Sequence, residues 1–419
     1  MDNPTPPSYR QNMSQTPEIR FLDRRTPPRT VTLVVLTGLS AMSMTLFLPS
    51  LPRIASYFDA PYALVQLAIA GYMAANAVLQ IFIGPLADKF GRRPVLLIGL
   101  AIFCLATLGC LFAPTIGVFL FFRTIQAAIV VGLALGRAIV RDMYPADEAA
   151  ARIGYVTMGM ALVPMVAPAF GGWLDETVGW QGPFWMLFIL GLLVFALIWA
   201  DLGETGPQSD RTILAQFAEY PELLRSPRFW GYCMASALSS GAFFAYLGGS
   251  PYVAGTVFGL SPTQFGLWTA MPGVGYFMGN FMTGLVAARL GINRMVVLGT
   301  TTTALGIAGA LAVSYAGYGG PIVFFGGMFF VAWGNGMTMP SATSGMLSVR
   351  PHLAGTASGL GGAMMVGFGA ALSATAGLVL GPGRDETALM WLMISTAVSG
   401  LFVILMVVRR ERRLGLGRR

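Results

Sequence analysis

The sequence contains few charged residues for its length. Only 11% of its 419 residues are Asp, Glu, Lys or Arg, whereas 55% are hydrophobic, and the mean hydropathy is +0.68. A water-soluble protein of this size needs far more charge to cover its surface. The shortage of charge therefore excludes a soluble globular protein and indicates an integral membrane protein.

Histidine and cysteine are also scarce. The chain has one histidine, His352, and its three cysteines, Cys104, Cys110 and Cys233, all lie inside apolar segments. These numbers and spacings fit no disulfide framework and argue against zinc or haem chemistry. Nothing resembles an ATP-binding loop. We therefore predict a protein without metal or cofactor.

Twelve apolar segments are each long enough to form a membrane-spanning helix, which needs roughly 20 residues to cross a ~30 Å hydrocarbon core. They are residues 31–52, 61–85, 94–113, 115–139, 151–173, 182–201, 230–252, 262–288, 294–314, 319–341, 353–380 and 387–408. The pattern predicts an all-α integral membrane fold of twelve transmembrane helices in two six-helix halves.

Polar segments divide the chain further. Residues 1–30 are polar and basic and lack the apolar core of a signal peptide, so they predict a disordered cytoplasmic tail. The two halves are predicted at 31–201 and 230–408, with a cytoplasmic linker at 202–229 and a basic tail at 409–419.

The basic residues are distributed unevenly among the connections. Of 26 Lys and Arg residues, Arg53 and Arg384 lie in connections on one side and Arg123 lies within a segment, while the others lie in or next to the tails and the connections on the opposite side. The positive-inside rule assigns that side to the cytoplasm. We predict a multi-pass inner-membrane protein with both termini cytoplasmic, whose net charge of +8 reflects topology and contact with anionic lipid and not nucleic-acid binding.

The two halves share a repeated sequence. The stretch GPLADKFGRRP at 84–94 corresponds to GLVAARLGINR at 284–294. At an offset of 200 residues, three glycine pairs match: Gly84 and Gly284, Gly91 and Gly291, Gly99 and Gly299. Both copies follow the second segment of their half, which argues for a duplicated six-helix unit. Duplicated membrane halves usually enclose a substrate site near the bilayer midplane.

Only the first copy carries a full set of charges. Its basic residues can anchor the connection at the headgroups. Asp88 is the single acid among them, and it could form ion pairs in one conformation that are broken in another. Ala288 stands at the corresponding place in the second copy. The alternative to a gate is that this stretch only anchors the connection at the headgroups and fixes the membrane topology. The predicted gate consists of Gly84, Asp88, Lys89, Gly91, Arg92 and Arg93.

The stretch GPLADKFGRRP resembles the signature of the connection between helices 2 and 3 in the major facilitator superfamily. Other pieces resemble its drug:proton antiporter branch, and the Bcr/CflA multidrug-efflux subgroup best: FLPSLPRIA at 47–55, FRTIQA at 122–127, GRAIVRD at 136–142, VPMVAPAFGGWL at 163–174, LGET at 202–205 and AGTASGL at 354–360. This resemblance implies that Asp88 meets the start of segment 11, near Gly355 and Ala357, when the cytoplasmic side is closed.

Arg123 lies about two turns into segment 4, where an arginine is costly. The resemblance implies that Arg123 and Gln126 belong to a motif linked to proton coupling. The alternative is that Arg123 snorkels to the headgroups.

At one position the chain differs from the family that it resembles. The family usually carries an acid in segment 1, and this chain has Thr45 there. None of the 18 acids lies in the middle of a segment, and several are assigned to connections on the side with few basic residues: Asp59, Asp175, Glu176, Asp385 and Glu386. We therefore predict weak proton coupling, or a substrate that itself carries the titrating group.

Two further sets of residues are candidates for the transport pathway. Pro164, Pro168, Gly171 and Gly172 resemble an antiporter-associated motif, with Ala167 replacing its first glycine, and predict a helix bend or a packing kink. A pliable cavity is predicted from aromatic and amide side chains: Phe47, Tyr72, Gln80, Tyr246, Trp268, Tyr276, Asn280, Trp333 and Asn335.

Three functions are compatible with these features. The first is a monomeric secondary transporter that exports small hydrophobic compounds in exchange for protons. The second is a facilitator or an exporter of a small anionic metabolite, favoured by Arg123 without a nearby acid in sequence and by Thr45. The third is a membrane enzyme, against which the single histidine and the lack of midplane acids speak.

Overall fold

The structure is a computed structural model that describes residues 20–144, 146–205, 220–350 and 353–413. Within these residues all regular structure is helical. The twelve long helices are α1 (Thr30–Tyr57), α2 (Tyr62–Phe90), α3 (Arg92–Leu111), α4 (Ile116–Met143), α5 (Ala146–Val178), α6 (Gln181–Asp201), α7 (Pro227–Tyr252), α8 (Pro262–Trp268 and Ala270–Leu290), α9 (Ile292–Tyr318), α10 (Pro321–Val349), α11 (Ala354–Val379) and α12 (Glu386–Arg413).

Each predicted segment corresponds to one of these helices, and the fold prediction is confirmed. Within the described residues, nine of the helices are long enough and apolar enough to cross a membrane. The three long helices that do not meet both conditions are α5, α7 and α8. Within each half, successive helices are joined by short connections, so they alternate in direction. We call the end of the bundle that holds the α2–α3 connection the basic face, and the other end the low-charge face.

Helix ends extend beyond the apolar segments. Asp175 and Glu176 lie in the last turn of α5 and Glu386 begins α12, so their assignment to connections is wrong. The reason is that polar side chains at a helix end find partners there: the Arg53 guanidinium, on α1, lies 3.3 Å from a carboxylate oxygen of Asp175. Hydropathy alone does not detect such a turn.

The described part of the predicted N-terminal tail is packed against the bundle. The backbone N–H groups of Leu22 and Arg29 donate to the two carboxylate oxygens of Asp201 at 2.8 and 3.1 Å, and the Thr32 hydroxyl donates at 2.6 Å. Asp201, the last residue of α6, is fully buried. The prediction of disorder is therefore wrong for residues 20–29, because this buried carboxylate requires donors.

The remaining predicted tail and linker segments are described only in part. Residues 1–19, 206–219 and 414–419 lie outside the described residues. The described part of the linker contains a short helix, Tyr220–Leu224.

The repeated sequence forms the same turn in both halves. Gly91 has φ +97° and ψ 153°, and Gly291 has φ +80° and ψ 161°. Their N–H groups donate to the carbonyl oxygens of Ala87 and Ala287 at 3.0 and 2.9 Å. This backbone region is open essentially to glycine alone, which explains the matched glycines.

Candidate substrate cavity and gates

The two halves meet tightly near the low-charge face. Gln66, fully buried on α2, donates from its amide to the Ser373 hydroxyl at 2.9 Å and to the Ser373 carbonyl oxygen, both on α11. The side chain fits between Gly248 and Gly377, where a β-carbon would collide with its amide. Tyr62 donates to the carbonyl oxygen of Gly248 at 3.0 Å. These contacts join α2 to α7 and α11 across the interface.

A second contact at the same face joins α5 and α8. Gly172 packs so closely on Pro262 that a β-carbon there would collide with the Pro262 carbonyl group, and Gly171 packs on the backbone of Leu46 in α1 in the same way. The Glu176 carboxylate accepts from the backbone N–H of Thr263 at 3.0 Å. The predicted bend motif therefore lies at a close inter-helix contact, with Pro164 and Pro168 inside α5.

Close contacts between the halves can be followed along α2 and α11 from the low-charge face toward the basic face. Along α2 and α11, contact continues as far as Gln80, whose amide oxygen lies 3.0 Å from the position of a β-carbon at Gly362. Beyond it, a β-carbon added at Gly84, Gly284 or Gly359 would have no atom within 4 Å. The close contacts between the halves that the described residues show therefore lie toward the low-charge face.

A cavity of about 300 Å³ lies between the halves. Its walls come from α1, α2, α4, α5, α7, α8 and α10, and among the described residues no charged side chain lines it. Its polar groups are hydroxyls and amides: Ser40, Thr45, Tyr72, Asn76, Ser240, Tyr246, Ser250, Thr269, Tyr276 and Asn335. The remaining lining is apolar and includes the aromatic and thioether side chains of Met44, Met165, Phe243, Phe244, Phe265 and Met339.

The predicted cavity residues divide into two groups. Tyr72, Tyr246, Tyr276 and Asn335 line the cavity, together with Thr45, Pro164 and Pro168. Five others do not line it: Phe47, Gln80, Trp268, Asn280 and Trp333.

Local packing accounts for the residues outside the wall. Phe47 is fully buried, Trp268 stacks on Phe325 at 5.5 Å, and Asn280 donates back to the Tyr276 carbonyl oxygen. Gln80 donates to the Asn76 amide oxygen at 2.5 Å, and Trp333 packs on Phe330 at 6.1 Å. Residue type suggested these positions, but helix rotation decided which side chains reach the cavity.

Arg123 is buried behind the cavity wall. Its guanidinium carbon lies 4.1 Å from the ring centre of Phe47 and 4.3 Å from that of Tyr72, and the side chain has no exposed surface. It donates to the Ser43 carbonyl oxygen at 2.8 Å and to the Gln126 amide oxygen, and Gln126 donates to the Thr107 hydroxyl at 2.7 Å. The snorkelling alternative is therefore wrong.

The partners of Arg123 are neutral. Within the described residues, Arg123 forms no ion pair with a carboxylate. Two ring faces and two amide or carbonyl oxygens compensate the buried charge through cation–π contacts and charge-assisted hydrogen bonds. A guanidinium that is buried so fully and balanced without an acid is rare in a membrane helix, which keeps Arg123 and Gln126 as candidates for coupling.

Asp88 takes part in an ionic cluster at the basic face. The Arg92 guanidinium lies 2.7 Å from Asp88 and 3.1 Å from Asp142, the latter at the end of α4. Asp88 remains one-third exposed. The ion pair that Asp88 forms with Arg92 therefore lies within the N-terminal half, and the gate stays a prediction. The surroundings of Gly355 and Ala288 lie outside what the structure describes.

Glu204 also holds this connection, although sequence reasoning gave it no role. Its two carboxylate oxygens accept from the backbone N–H groups of Arg92 and Arg93 at 2.7 and 3.2 Å, at the start of α3. Arg93 reaches back to the Trp199 carbonyl oxygen on α6 at 2.9 Å. A carboxylate is stabilising at a helix N-terminus. The segments LGET and GRAIVRD, which contain Glu204 and Asp142, were the available signals.

Comparison with known families identifies this architecture. The family model described as Major Facilitator Superfamily matches residues 33–374. This chain belongs to the Major Facilitator Superfamily. The predicted family is thereby confirmed, and because its members are transporters, so is the prediction that the protein is not an enzyme. It is a multi-pass membrane transporter.

Relatives of this superfamily transporter cover most of its length. It is 30% identical to the uncharacterized MFS-type transporter YdgK of Bacillus subtilis over 87% of this chain and 92% of that one. It is 28% identical to multidrug resistance protein D of Escherichia coli (89% and 93%) and 26% identical to the bicyclomycin resistance protein homolog of Haemophilus influenzae (81% and 86%). These relatives support the predicted Bcr/CflA-like subgroup.

Solved structures share the fold. The peptide transporter POT in complex with sulfate superposes with a TM-score of 0.72 at 16% identity, covering 94% of this chain and 97% of that one. The partially occluded inward-open xylose transporter XylE from E. coli superposes with a TM-score of 0.69 at 16% identity, over 90% and 96%. At this identity the likeness concerns the fold alone.

Proposed function

We propose that this protein exports small hydrophobic, drug-like compounds by alternating access. The observation that carries the proposal is the central cavity, which is apolar and lies between the two halves. A cavity of this kind, rich in aromatic and thioether side chains, accommodates varied apolar molecules. Relatives named for multidrug, bicyclomycin and chloramphenicol resistance support the same substrate class.

We place the basic face in the cytoplasm of the cell that makes the protein, in its inner membrane, with both termini on that side. Support comes from the positive-inside rule, since Arg92, Arg141, Arg228 and Arg350 lie at that face while Arg53 and Arg384 lie at the other. In this orientation we propose that a compound enters the cavity from the cytoplasmic side and leaves at the low-charge face. The six-helix halves enclose the whole cavity within one chain, so we propose a monomer.

Exchange for protons is typical of this branch, and we propose it as the driving reaction, with weak coupling. The cavity wall carries Thr45 where the family usually has an acid, and none of the described lining residues is a carboxylate that could trade a proton between the two access states. A facilitator without coupling is the remaining alternative, and concentrative transport separates the two.

The proposal is tested with purified protein in liposomes that carry an imposed pH gradient. Accumulation of an uncharged hydrophobic compound against its gradient, abolished by a protonophore, is expected. Movement of the compound only down its own concentration gradient would indicate a facilitator. If the protein moves no compound of a broad panel, export is refuted. Protein-free liposomes correct for passive permeation.

A further inference from the structure

We infer that a second cavity, at the low-charge face, receives the compound when it leaves the central cavity, and that the Phe265 side chain is the gate between the two cavities. The inference deepens the proposed export function and rests on it. Three observations carry it: the lining of the two cavities, the irregular helix turns at the boundary between them, and the packing of the first turns of α8.

The second cavity, here called the outer cavity, has a volume of about 320 Å³ and is lined by the end of α1, the end of α7 with the turn that follows it, and the start of α8. It therefore lies between the two halves. Because the central cavity has a volume of about 300 Å³, a small compound that fits into one cavity fits into the other. Within the described part of the chain, the one charged residue in its lining is Arg53, which lies 3.3 Å from the carboxylate of Asp175. A hydrophobic compound thus meets no unpaired charged residue there.

The two cavities follow one another along the same three helices. On α1, Leu48 lines the central cavity and Pro49 lines the outer one. On α7, Ser250 lines the central cavity and Pro251 lines the outer one. On α8, Phe265 lines both, and among the described residues it is the one that the two linings share. The boundary is therefore a single layer of side chains, and Phe265 spans it.

The Phe265 ring has room to move. The residue is 3% exposed, and the centre of its ring lies 6.2 Å from that of Phe325 on α10. A ring in a close-packed core is held by neighbours on all sides. Phe265 instead has a cavity on each side, so a change of its side-chain rotamer opens the boundary without displacing the backbone.

The second observation is that the helices are irregular at this boundary. Residues Leu48–Ser50 of α1 form a 3₁₀ turn, and Val253–Val257 form a π turn directly after α7. The helix α8 is interrupted at Thr269. Such turns often mark hinges or functional sites within helices. All three walls of the boundary therefore contain a point at which the helix can bend.

The third observation is that the start of α8 is attached to the other half. A β-carbon at Gly266 would collide with the backbone of Pro168 in α5. The Glu176 carboxylate, at the end of α5, accepts from the backbone N–H of Thr263 at 3.0 Å. The short helix that carries Phe265 is thus packed on the N-terminal half, whereas Phe325 belongs to the C-terminal half. A movement between the halves would therefore separate the two rings and open the boundary.

Thiol labelling tests the inference and requires no transported compound. The reagent is 2-(trimethylammonium)ethyl methanethiosulfonate, which does not cross a bilayer. Met44→Cys places a thiol in the central cavity, and Ser56→Cys places one in the outer cavity. Spheroplasts and everted vesicles present opposite faces of the membrane, and the preparation in which Ser56→Cys reacts identifies the low-charge face. The native cysteines are buried, and the unsubstituted chain gives their background.

The first variant removes the gate. Phe265→Ala joins the two cavities, so it should raise the labelling rate of Met44→Cys from the low-charge face by at least about tenfold, because the reagent no longer depends on a minor conformation to reach the thiol. Phe281→Ala, which removes an exposed ring from the same helix, is the matched control and should leave the rate unchanged. Size-exclusion chromatography measures the folded protein. An unchanged rate in folded Phe265→Ala protein would overturn the gate.

The second variant blocks the outer cavity and leaves Phe265 in place. Thr256 is an exposed residue of its lining, so Thr256→Trp fills the space without disturbing the core. It should lower the labelling rate of Met44→Cys in the chain that has Phe265, and it should cancel the gain caused by Phe265→Ala. Thr177→Trp adds the same bulk at the exposed end of α5, outside the lining, and is the matched control. Labelling that Thr256→Trp does not slow would mean that the reagent arrives by another route, which would overturn the outer cavity as the release site.

The release route and the export function fail separately. If labelling follows these expectations but the protein moves no compound of the liposome panel, export is refuted and the connection between the cavities stands. If compounds are exported while Thr256→Trp alters neither labelling nor transport, export stands and the release site is refuted.

Discussion

The α2–α3 and α8–α9 connections share a backbone conformation but differ in the side chains that surround them. Gly91 and Gly291 end their helices with closely similar dihedral angles and the same hydrogen bond. Around Gly91 lies an ionic cluster in which Arg92 pairs with Asp88 and Asp142. At an offset of 200 residues from Arg92 stands Ile292, so this cluster has no counterpart.

The second connection is held by a buried polar group instead. Glu411, near the end of α12, is 5% exposed and accepts from Arg228 at 2.6 Å, from the Tyr232 hydroxyl at 3.1 Å and from the Asn293 amide. These residues come from α7, α9 and α12, which all belong to the C-terminal half. The comparison teaches that the turn is common to both halves, whereas the partly exposed acid Asp88 belongs to one.

The largest expected effect comes from removing that acid. Asp88→Asn should insert and fold normally but reduce transport by about thirtyfold, equivalent to ~2 kcal/mol, because a neutral amide cannot reform the closed contact at the basic face. Transport into everted vesicles is the readout, and the fraction of inward-facing protein, measured by spin-label distances between α2 and α11, should rise.

Ala288→Asn is the matched control for this prediction, since it places the same side chain at the corresponding position of the other half. We expect only a mild change. Similar losses in the two variants, or a normal transport rate for Asp88→Asn, would mean that the asymmetry between the connections has no role in gating.

The next effect concerns a second asymmetry of charge. Arg123 lies in α4, and at an offset of 200 residues α10 has Val323. Arg123→Lys should lower transport about tenfold, because an ammonium cannot donate to Ser43 and Gln126 while lying flat between two rings. Arg123→Ala should lose more. Vesicle transport normalised to the amount of folded protein checks both; a fully active Arg123→Ala would assign the residue a structural role only.

A smaller effect tests the shared turn. Gly91→Ala and Gly291→Ala should each destabilise the protein by ~1–3 kcal/mol, since alanine is strained at positive φ. Gly91→Ala should also disturb transport by about threefold, because the new methyl collides with the Glu204 carboxylate, whereas the space around Gly291 is open. Thermal unfolding in detergent and transport are both measured. Equal transport losses would contradict a specific role for Glu204.

The smallest effect concerns coupling. Thr45→Asp restores an acid to the cavity wall of the N-terminal half. A carboxylate attracts cations only when ionised, so export of a cationic compound should increase with cytoplasmic pH, by about twofold or more per pH unit near the titration midpoint. Thr45→Asn is the neutral control. A flat pH profile in the Thr45→Asp protein would show that this position does not determine coupling.

Hydropathy and residue repetition were sufficient to predict the helices and their grouping. Each predicted segment has a helix, because a bilayer leaves a twenty-residue apolar segment few alternatives to a helix whose backbone groups bond internally. The matched glycines at 91 and 291 predicted a common turn for an equally local reason, since their dihedral angles exclude other residues. What hydropathy missed were polar helix ends, such as that of Asp175, whose partner Arg53 is distant in sequence.

The cavity wall and the ionic cluster depended on tertiary structure. The sequence singled out Tyr246 and Asn335 but also Trp268 and Trp333, since an aromatic or amide side chain suits a cavity and a helix contact equally well. Only the rotation and packing of the helices decided which of them face the space between the halves. The contact of Arg123 with Ser43 and the approach of Glu204 to Arg92 likewise join residues 80 and 112 positions apart, a proximity that local pattern cannot encode.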